Sequence, residues 1–204
     1  MEYLNAAPVA SIIFLFTIVT SLYAFYDQSI YGKFMLHPYS ISKGYKIYTI
    51  ITSGLIHADW MHLFFNMFTF YAFAFTLEQF MGSWQFGLLY FLGLVLSDLP
   101  TIFKHKNNFN YNSLGASGAI SAVLFGYILF NPLSKLYIMF IPIGIPAVVF
   151  GVLYLIYCMY ASRHSRDHIN HDAHFFGALT GLIFTVIFVP GIIQHFLSAL
   201  TGGR

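Results

Sequence analysis

The sequence predicts an all-α membrane protein, a bundle of six transmembrane helices with one long interfacial loop. Of its 204 residues, 58% are hydrophobic and only 8% are charged, whereas soluble proteins carry about 25% charged residues. So few polar side chains cannot cover a water-facing surface. The apolar residues fall in long runs, and a run of about 20 residues crosses the hydrocarbon core as a helix.

Six such runs can be placed, and together they form one membrane domain covering residues 1–204. They lie at about residues 8–26, 60–80, 83–103, 115–131, 147–161 and 173–190. We expect the first run to be retained, because no positively charged segment precedes it and it is long enough to span. Asp98 and Pro100 mark a fraying end of the third run. The fourth is short, which suits a helix that begins inside a protein-lined cavity.

Two connecting segments and the overall charge narrow the prediction further. Residues 28–59 are polar but rich in aromatic side chains, which predicts a structured first loop in the membrane interface. Residues 136–146 are apolar but contain two prolines and a glycine, so we predict an interfacial approach to the fifth helix.

A net charge of +2 without a basic stripe argues against a nucleic-acid partner. Cys158 is the single cysteine, which excludes an internal disulfide.

Ser117 and His174 each stand at the start of an apolar run. Glycine and alanine flank Ser117, so other backbones and a substrate can approach its hydroxyl closely. Small residues recur at four-residue spacing on both helices and favour close helix packing in lipid. These stripes are Gly118, Ala122 and Gly126 on the fourth helix, and Ala173, Gly177 and Gly181 on the sixth. If the stripes face each other, the serine and the histidine meet; the alternative is ordinary bundle packing.

The second helix carries two polar side chains, His62 and Asn66, that are four residues apart and therefore share one face. Both are costly in lipid and should point into the bundle. Their N–H groups are donors of the kind that stabilise a developing oxyanion. The alternative is that they only hydrogen-bond to neighbouring helices and hold the bundle together.

Taken together, these residues make the chain resemble the rhomboid intramembrane serine proteases of the minimal six-helix bacterial type. The matching segments are His-Ala-Asp-Trp-Met-His-Leu-Phe-Phe-Asn at residues 57–66, Gly-Ala-Ser-Gly-Ala at residues 115–119, and Ala173-His174 with Gly177 and Gly181. Their order, helix placement and spacing agree over essentially the whole chain.

The resemblance implies catalysis by a Ser–His dyad without an acidic third member. Ser117 would be the nucleophile and His174 the general base. The side chains of His62 and Asn66 and the backbone N–H of Ser117 would form the oxyanion hole. The substrates would be single-pass transmembrane proteins, which pass a lateral gate formed by the fifth helix. The protein would be a multi-pass protein surrounded by the lipids of a bacterial inner membrane.

Some positions depart from the family pattern. Tyr48 and Thr49 replace a Trp-Arg pair of the first loop. Ser121 stands where some members carry a tyrosine that packs on the catalytic imidazole. We therefore expect another aromatic ring, from the sixth helix, to hold His174. Glu78 matches a family glutamate that is tied to the first loop.

A histidine cluster offers a second interpretation of the sixth helix, because histidines at helical spacing can bind zinc. Its members are His164, His168, His171 and His174. The cluster contains no cysteine and lies mostly in a polar loop, so we predict no metal site and no cofactor. Asp98 is a candidate third catalytic residue, but its neighbours favour a structural role.

Two other functions and a question of orientation stay open. A non-catalytic rhomboid-like protein could bind and escort transmembrane clients, although such proteins usually lack the serine or the histidine. A small transporter fits less well, because no array of intramembrane charges is present. The family orientation places the active site outside the cell, whereas the lysines and arginines of the loops predict the opposite under the positive-inside rule. We adopt the family orientation.

Overall fold

The computed structural model describes residues 5–137, 142–165, 167 and 169–202. Helices occupy all six predicted positions in these residues. In chain order the helices are α1 (Pro8–Tyr26), α2 (Ser29–Phe34), α3 (Pro38–Ser42), α4 (Thr49–Thr52), α5 (Trp60–Met81), α6 (Ser83–His105), α7 (Ser117–Phe130), α8 (Ala147–His164), α9 (His171–Phe188) and α10 (Ile192–Thr201). Four of them, α1, α6, α8 and α9, are long and apolar enough to cross a membrane by length and composition.

The helix α7 forms the centre of the bundle. It has only 14 residues, and almost every one of them is buried. A helix that is apolar on all sides is buried in this way. Its main neighbours are α9, α6 and α5. The long helix α5 carries Asn66 and Thr69, whose side chains line the cavity described below. The chain is therefore an all-α membrane bundle built around α7.

The helices α7 and α9 pack with their backbones in contact. A Cβ atom added at Gly177 would collide with the carbonyl oxygen of Gly118, and one at Gly181 with that of Ala122. On the other side of α7, a Cβ at Gly118 would collide with Ser97 of α6. The two small-residue stripes therefore face each other, as predicted, and this contact brings the first turns of α7 and α9 together.

The first loop is folded, as predicted. It contains α2, α3, α4 and a 3₁₀ turn at Ser53–Leu55. The Tyr31 hydroxyl donates to the His57 carbonyl oxygen at 2.9 Å, which joins the loop to the start of α5. Thr49 is fully buried and donates to the Lys46 carbonyl oxygen at 2.7 Å. Thr49 thus closes a local turn inside the loop.

Glu78 is tied to α1 and not, as the resemblance implied, to the first loop. Its buried carboxylate accepts from the backbone N–H groups of Val9, at 3.1 Å, and Ala10, at 2.6 Å. No side chain of α1 caps its own N-terminus. A carboxylate is favourable at this position because the N-terminal end of a helix carries partial positive charge. A residue of α5 therefore caps α1 and fixes the two helices together.

Replacing Glu78 by glutamine should destabilise the protein. The variant keeps one acceptor oxygen but loses the charge and the second acceptor, which should cost about 1–3 kcal/mol. Thermal unfolding in detergent should show a lower Tm for Glu78→Gln. The neighbouring Gln79 is exposed, so Gln79→Ala is the matched control and should leave the Tm nearly unchanged. Equal Tm values for the wild type and Glu78→Gln would contradict this role.

Two helix ends differ from the predicted ones. The helix α6 does not fray at Asp98 but continues through Pro100 to His105. A proline removes one backbone hydrogen bond, and the buried Thr101 and Ile102 beyond it hold the last turn in the bundle. The sixth span ends at Phe188, earlier than predicted, because the chain turns at Gly191, where φ is +79°. Glycine adopts this conformation without strain, and α10 follows.

The apolar segment before the fifth span is a small β-ribbon. Strands β1 (Lys135–Tyr137) and β2 (Gly144–Pro146) pair antiparallel, with Leu136 opposite Ile145. The prediction that this segment is not part of the helix is confirmed, since α8 starts directly after Pro146. The strand pairing itself was not predicted. Of the residues between the strands, 138–141 lie outside the described part of the chain.

Candidate active site

A cavity of about 240 Å³ lies where α5, α7, α8 and α9 meet. Its polar lining consists of Asn66, Thr69, Ser117, Ser121, Tyr154 and His174. Three of the predicted site residues therefore face one space. A larger cavity of about 440 Å³ lies between α1 and α5, but its lining is almost entirely apolar and includes none of the predicted site residues.

Ser117 is the first residue of α7. It follows a turn at Gly115, whose φ of +112° favours glycine. The first hydrogen bond of the helix runs from the Ile120 N–H to the Ala116 carbonyl oxygen. The N–H groups of the preceding residues, including that of Ser117, have no intrahelical partner. The hydroxyl of Ser117 therefore stands beside free backbone donors and the positive end of a helix.

His62 lies against the turn that precedes Ser117. A Cβ added at Gly115 would lie 2.7 Å from both Cε1 and Nε2 of the His62 ring, so only glycine leaves room for this imidazole. The Nδ1 atom of His62 faces the Ala58 N–H at 3.5 Å. A neutral imidazole that accepts at Nδ1 carries its proton on Nε2, the nitrogen nearest the turn. The oxygen Oδ1 of Asp59 accepts from the His62 backbone N–H at 2.8 Å and caps α5.

Asn66 lies one turn further along α5 and is 7% exposed. One of its amide N–H groups donates to the His62 carbonyl oxygen at 3.0 Å. This bond fixes the orientation of the amide. An amide nitrogen has two N–H donors, so the second one is free to serve a group bound in the cavity.

His57 supports His62 from behind. The two rings meet edge to face, with centroids 4.9 Å apart and an interplanar angle of 81°. The Nδ1 atom of His57 hydrogen-bonds to the Ser21 hydroxyl of α1 at 2.9 Å. Burial lowers the pKa of His57 to about 3, so its ring is neutral at physiological pH. His57 is therefore a neutral brace that connects α1 to the start of α5.

His174 stacks on an aromatic ring, but this ring comes from α8 and not, as predicted, from the sixth helix. The rings of His174 and Tyr154 are nearly parallel, at 15°, with centroids 6.3 Å apart. The Tyr154 hydroxyl and the Ser121 hydroxyl are 2.9 Å apart and hydrogen-bonded. The small Ser121 leaves room for a tyrosine from the neighbouring helix and gives its hydroxyl a partner. No sequence signal links residues 33 positions apart in this way.

The side chains of Ser117 and His174 line the same cavity, yet no hydrogen bond joins them in the described structure. Catalytic hydrogen bonds are often long in the absence of substrate and shorten when it binds. Asp98 lies on α6 and makes no hydrogen bond to His174 within the described residues. Ser117 and His174 thus face one cavity, and no carboxylate of the described residues hydrogen-bonds to the His174 imidazole.

Substitutions at Tyr154 should separate its two roles. Tyr154→Phe keeps the ring beside His174 and loses only the bond to Ser121, so activity should fall less than about 10-fold. If His174 is the general base that the sequence predicts, Tyr154→Leu, which removes the ring, should reduce activity about 100-fold, since small misplacements of a catalytic group have effects of this size. Initial rates of cleavage in proteoliposomes, compared at equal Tm, test this order. Equal losses in the two variants would contradict a role for the ring.

Asn170 fixes the start of α9 relative to two other parts of the site. Its Oδ1 accepts from the Ala173 N–H at 3.1 Å and from the Thr101 hydroxyl of α6 at 3.0 Å. Its Nδ2 donates to the Ser113 hydroxyl at 3.4 Å, in the segment before Ser117. The role of Asn170 was not predicted, although an asparagine just before a helical run is a usual N-cap signal.

The predicted histidine cluster is only partly assembled, and a cysteine joins it. One possible ligand atom from each of Cys158, His171 and His174 lies within 4.8 Å of the others. The prediction of no metal site rested partly on the absence of a cysteine from the histidine cluster, but α8 supplies Cys158. His164 is exposed and bonds to the Tyr160 carbonyl oxygen at 3.0 Å. His168 lies outside the described residues.

Asp167 precedes α9 and faces His171. Its two carboxylate oxygens lie 3.1 and 3.2 Å from the Nε2 atom of His171. Hydrogen bonds from Ser165 and from the Ile169 N–H lower the pKa of Asp167 to about 2. The carboxylate is therefore charged at physiological pH and orients the His171 ring.

Comparison with known proteins shows that this chain is similar to rhomboid proteins. Residues 45–191 match the Rhomboid domain family. The chain is 25% identical over 170 residues to "RHOMBOID-like protein 12, mitochondrial" of Arabidopsis thaliana, covering 74% of the chain and 50% of that protein. It is 31% identical over 140 residues to "Putative rhomboid protease YdcA" of Bacillus subtilis (strain 168), covering 69% of the chain and 66% of that protein. The matched segments thus span between half and two thirds of these relatives.

Proposed function

This chain belongs to the rhomboid family and is an integral membrane protein, and we propose that it is a serine endopeptidase that cleaves transmembrane segments within the membrane. The observation that carries the proposal is the shared cavity, which Ser117, His174 and Asn66 line together. Family membership supports the same reaction class. A purely structural role does not require a serine hydroxyl beside free backbone donors.

The proposed reaction begins with attack of the Ser117 hydroxyl oxygen on the scissile carbonyl carbon. His174 accepts the hydroxyl proton and then donates it to the leaving amine. The resulting oxyanion accepts hydrogen bonds from the Ser117 backbone N–H, the Nε2–H of His62 and the free amide N–H of Asn66. A water molecule, deprotonated by His174, then hydrolyses the acyl ester and regenerates Ser117. Stacking on Tyr154 orients the imidazole in place of an acidic residue.

The proposed substrates are single-pass transmembrane proteins that reach the cavity from the side. Phe65 of α5 and Phe150 of α8 line the cavity between these two helices. Only four residues of α8 are fully buried, namely Ala147, Gly151, Cys158 and Ala161. A helix held by few contacts can move outward at low cost, so α8 is the proposed gate. We place the protein in a bacterial inner membrane.

A serine-directed probe tests the proposal most directly. A fluorophosphonate forms a bond between its phosphorus and an activated serine oxygen, releases fluoride and passes the hydroxyl proton to the base. Peptide mapping by mass spectrometry should find the adduct on Ser117 in the wild type. Labelling should be lost in His174→Asn, which removes the base, and retained in His164→Asn, an exposed histidine on the end of α8.

The same preparations should be tested for cleavage of transmembrane substrates in liposomes. Labelling of Ser117 together with substrate cleavage would support the endopeptidase. A folded wild type that neither reacts with the probe nor cleaves any of several transmembrane substrates would contradict it and favour a protein that binds and escorts membrane clients.

A further inference from the structure

A buried group of three side chains shares only one residue, His174, with the proposed active site. Cys158 of α8 and His171 and His174 of α9 each place a possible metal-binding atom within 4.8 Å of the other two. Cys158 is 0% exposed and His171 is 4% exposed. His174 lines the cavity, so an ion in the cavity can reach the group.

The two ring nitrogens of His171 have different surroundings. Its Nε2 atom lies 3.1 and 3.2 Å from the oxygens of Asp167. Its Nδ1 atom is buried and has no hydrogen-bond partner in the described residues. A buried polar atom without a partner is costly and calls for an explanation. A carboxylate on one ring nitrogen with the other nitrogen free is the arrangement that orients histidine as a metal ligand.

We propose that Cys158, His171 and His174 bind a Zn²⁺ ion, and that this ion inhibits the proteolysis proposed above. One thiolate and two imidazoles suit zinc, and three protein ligands with an open fourth position for water form a common zinc site. Binding releases the thiol proton of Cys158 to solvent. The inhibition rests on the proposed function, whereas the binding of the ion does not.

The three ligand atoms need to move only slightly closer together to bind a zinc ion. Ligand atoms around a tetrahedral zinc ion lie about 3.3–3.6 Å apart, which follows from bond lengths of about 2.0–2.3 Å. The three atoms here lie within 4.8 Å of one another, so each pair must approach by at most about 1.2–1.5 Å. Rotation of the Cys158 side chain, or a small inward shift of α8, achieves this. Asp167 keeps the His171 ring in place.

Zinc on His174 blocks catalysis whichever ring nitrogen it takes. A neutral imidazole has one protonated and one unprotonated nitrogen. When the unprotonated nitrogen binds the metal, the other carries the proton, so neither can accept the proton of Ser117. The ion also joins α8 to α9, because Cys158 lies on one helix and both histidines on the other. One ion thus restrains both α8, the proposed gate, and His174, the proposed general base.

Cobalt binding tests the site without any measurement of proteolysis. Co²⁺ titrated into the purified protein should produce one equivalent of bound ion with a thiolate-to-cobalt charge-transfer band, and Zn²⁺ should displace it. Cys158→Ala should lose the band. Asp167→Asn should weaken binding about 10- to 100-fold, as loss of a residue that orients a ligand does. His164→Asn is the matched control and should bind as the wild type does.

Proteolysis in chelator-buffered zinc tests the inhibition. The wild type should lose cleavage activity when zinc is added and regain it after chelation. Cys158→Ala, shown to be folded by its Tm, should cleave the substrate both with added zinc and after chelation. Absence of the cobalt band, or equal zinc inhibition of the wild type and Cys158→Ala, would overturn the site. A cobalt band with zinc-insensitive cleavage would overturn the inhibition alone. If no condition gives cleavage, the proposed function fails and the inhibition with it, while the cobalt band still decides the metal site.

Discussion

Proteoliposomes that contain Ser117→Ala should cleave a transmembrane substrate at least about 10⁴-fold more slowly than the wild type, because removal of a nucleophile eliminates the acyl-enzyme route. The substitution deletes one oxygen atom from a half-buried residue at the start of α7. It leaves the backbone N–H groups and the packing of α7 intact. The Tm of the variant should therefore match that of the wild type.

Ser134→Ala is the matched control for this experiment. Ser134 lies beyond the other end of α7 and donates to the Asn131 carbonyl oxygen at 2.9 Å, so its loss removes a hydroxyl without touching the cavity. Cleavage by this control should stay within about 2-fold of the wild type, as is usual for changes away from a site. Retained proteolysis in Ser117→Ala, or unfolding of that variant, would show that Ser117 has a packing role instead.

Replacing Gly181 by valine should prevent formation of the bundle. The first atom of any side chain at this position would overlap the Ala122 carbonyl oxygen of α7. Because both partners are helix backbone, the overlap can be relieved only by moving α9 away from α7. The expected cost is about 3–5 kcal/mol, which is a large part of a total stability of about 5–15 kcal/mol.

Size-exclusion chromatography and thermal unfolding in detergent measure this loss. The control is Gly32→Val, at an exposed position of α2 where nothing lies within 4 Å of an added Cβ. We expect Gly181→Val to aggregate or to unfold far below the wild type, and Gly32→Val to remain a folded protein. A normal Tm for Gly181→Val would show that α7 and α9 are separated in the membrane.

The parts of this fold that the sequence predicts are those specified by local patterns. Apolar runs locate the six main helices of the bundle, and a glycine-based stripe on α7 and on α9 predicts which faces meet. His62 and Asn66 were predicted to share a face because they are one turn apart. Those predictions need only the period of a helix and the composition of the segments.

The missed features depend on contacts between distant segments. Tyr154 is one of several aromatic residues on α8, and only the relative rotation of α7, α8 and α9 decides which one meets His174. The same rotation brings Cys158 to His171, which no spacing along the chain encodes. Glu78 was assigned to the wrong partner because a buried carboxylate pairs with whichever free donors lie nearest. Here these are the first N–H groups of α1.

The cap that Glu78 places on α1 has a consequence for biosynthesis. Its acceptor oxygen and the Ala10 N–H lie 68 residues apart in sequence, so α1 is made long before its cap. Until α5 enters the bilayer, the first turn of α1 must find other hydrogen-bond partners, such as interfacial water or lipid headgroups. Arrival of α5 releases those temporary partners. We therefore expect the pair α1 and α5 to assemble first during insertion, before α7 and α9 are synthesised.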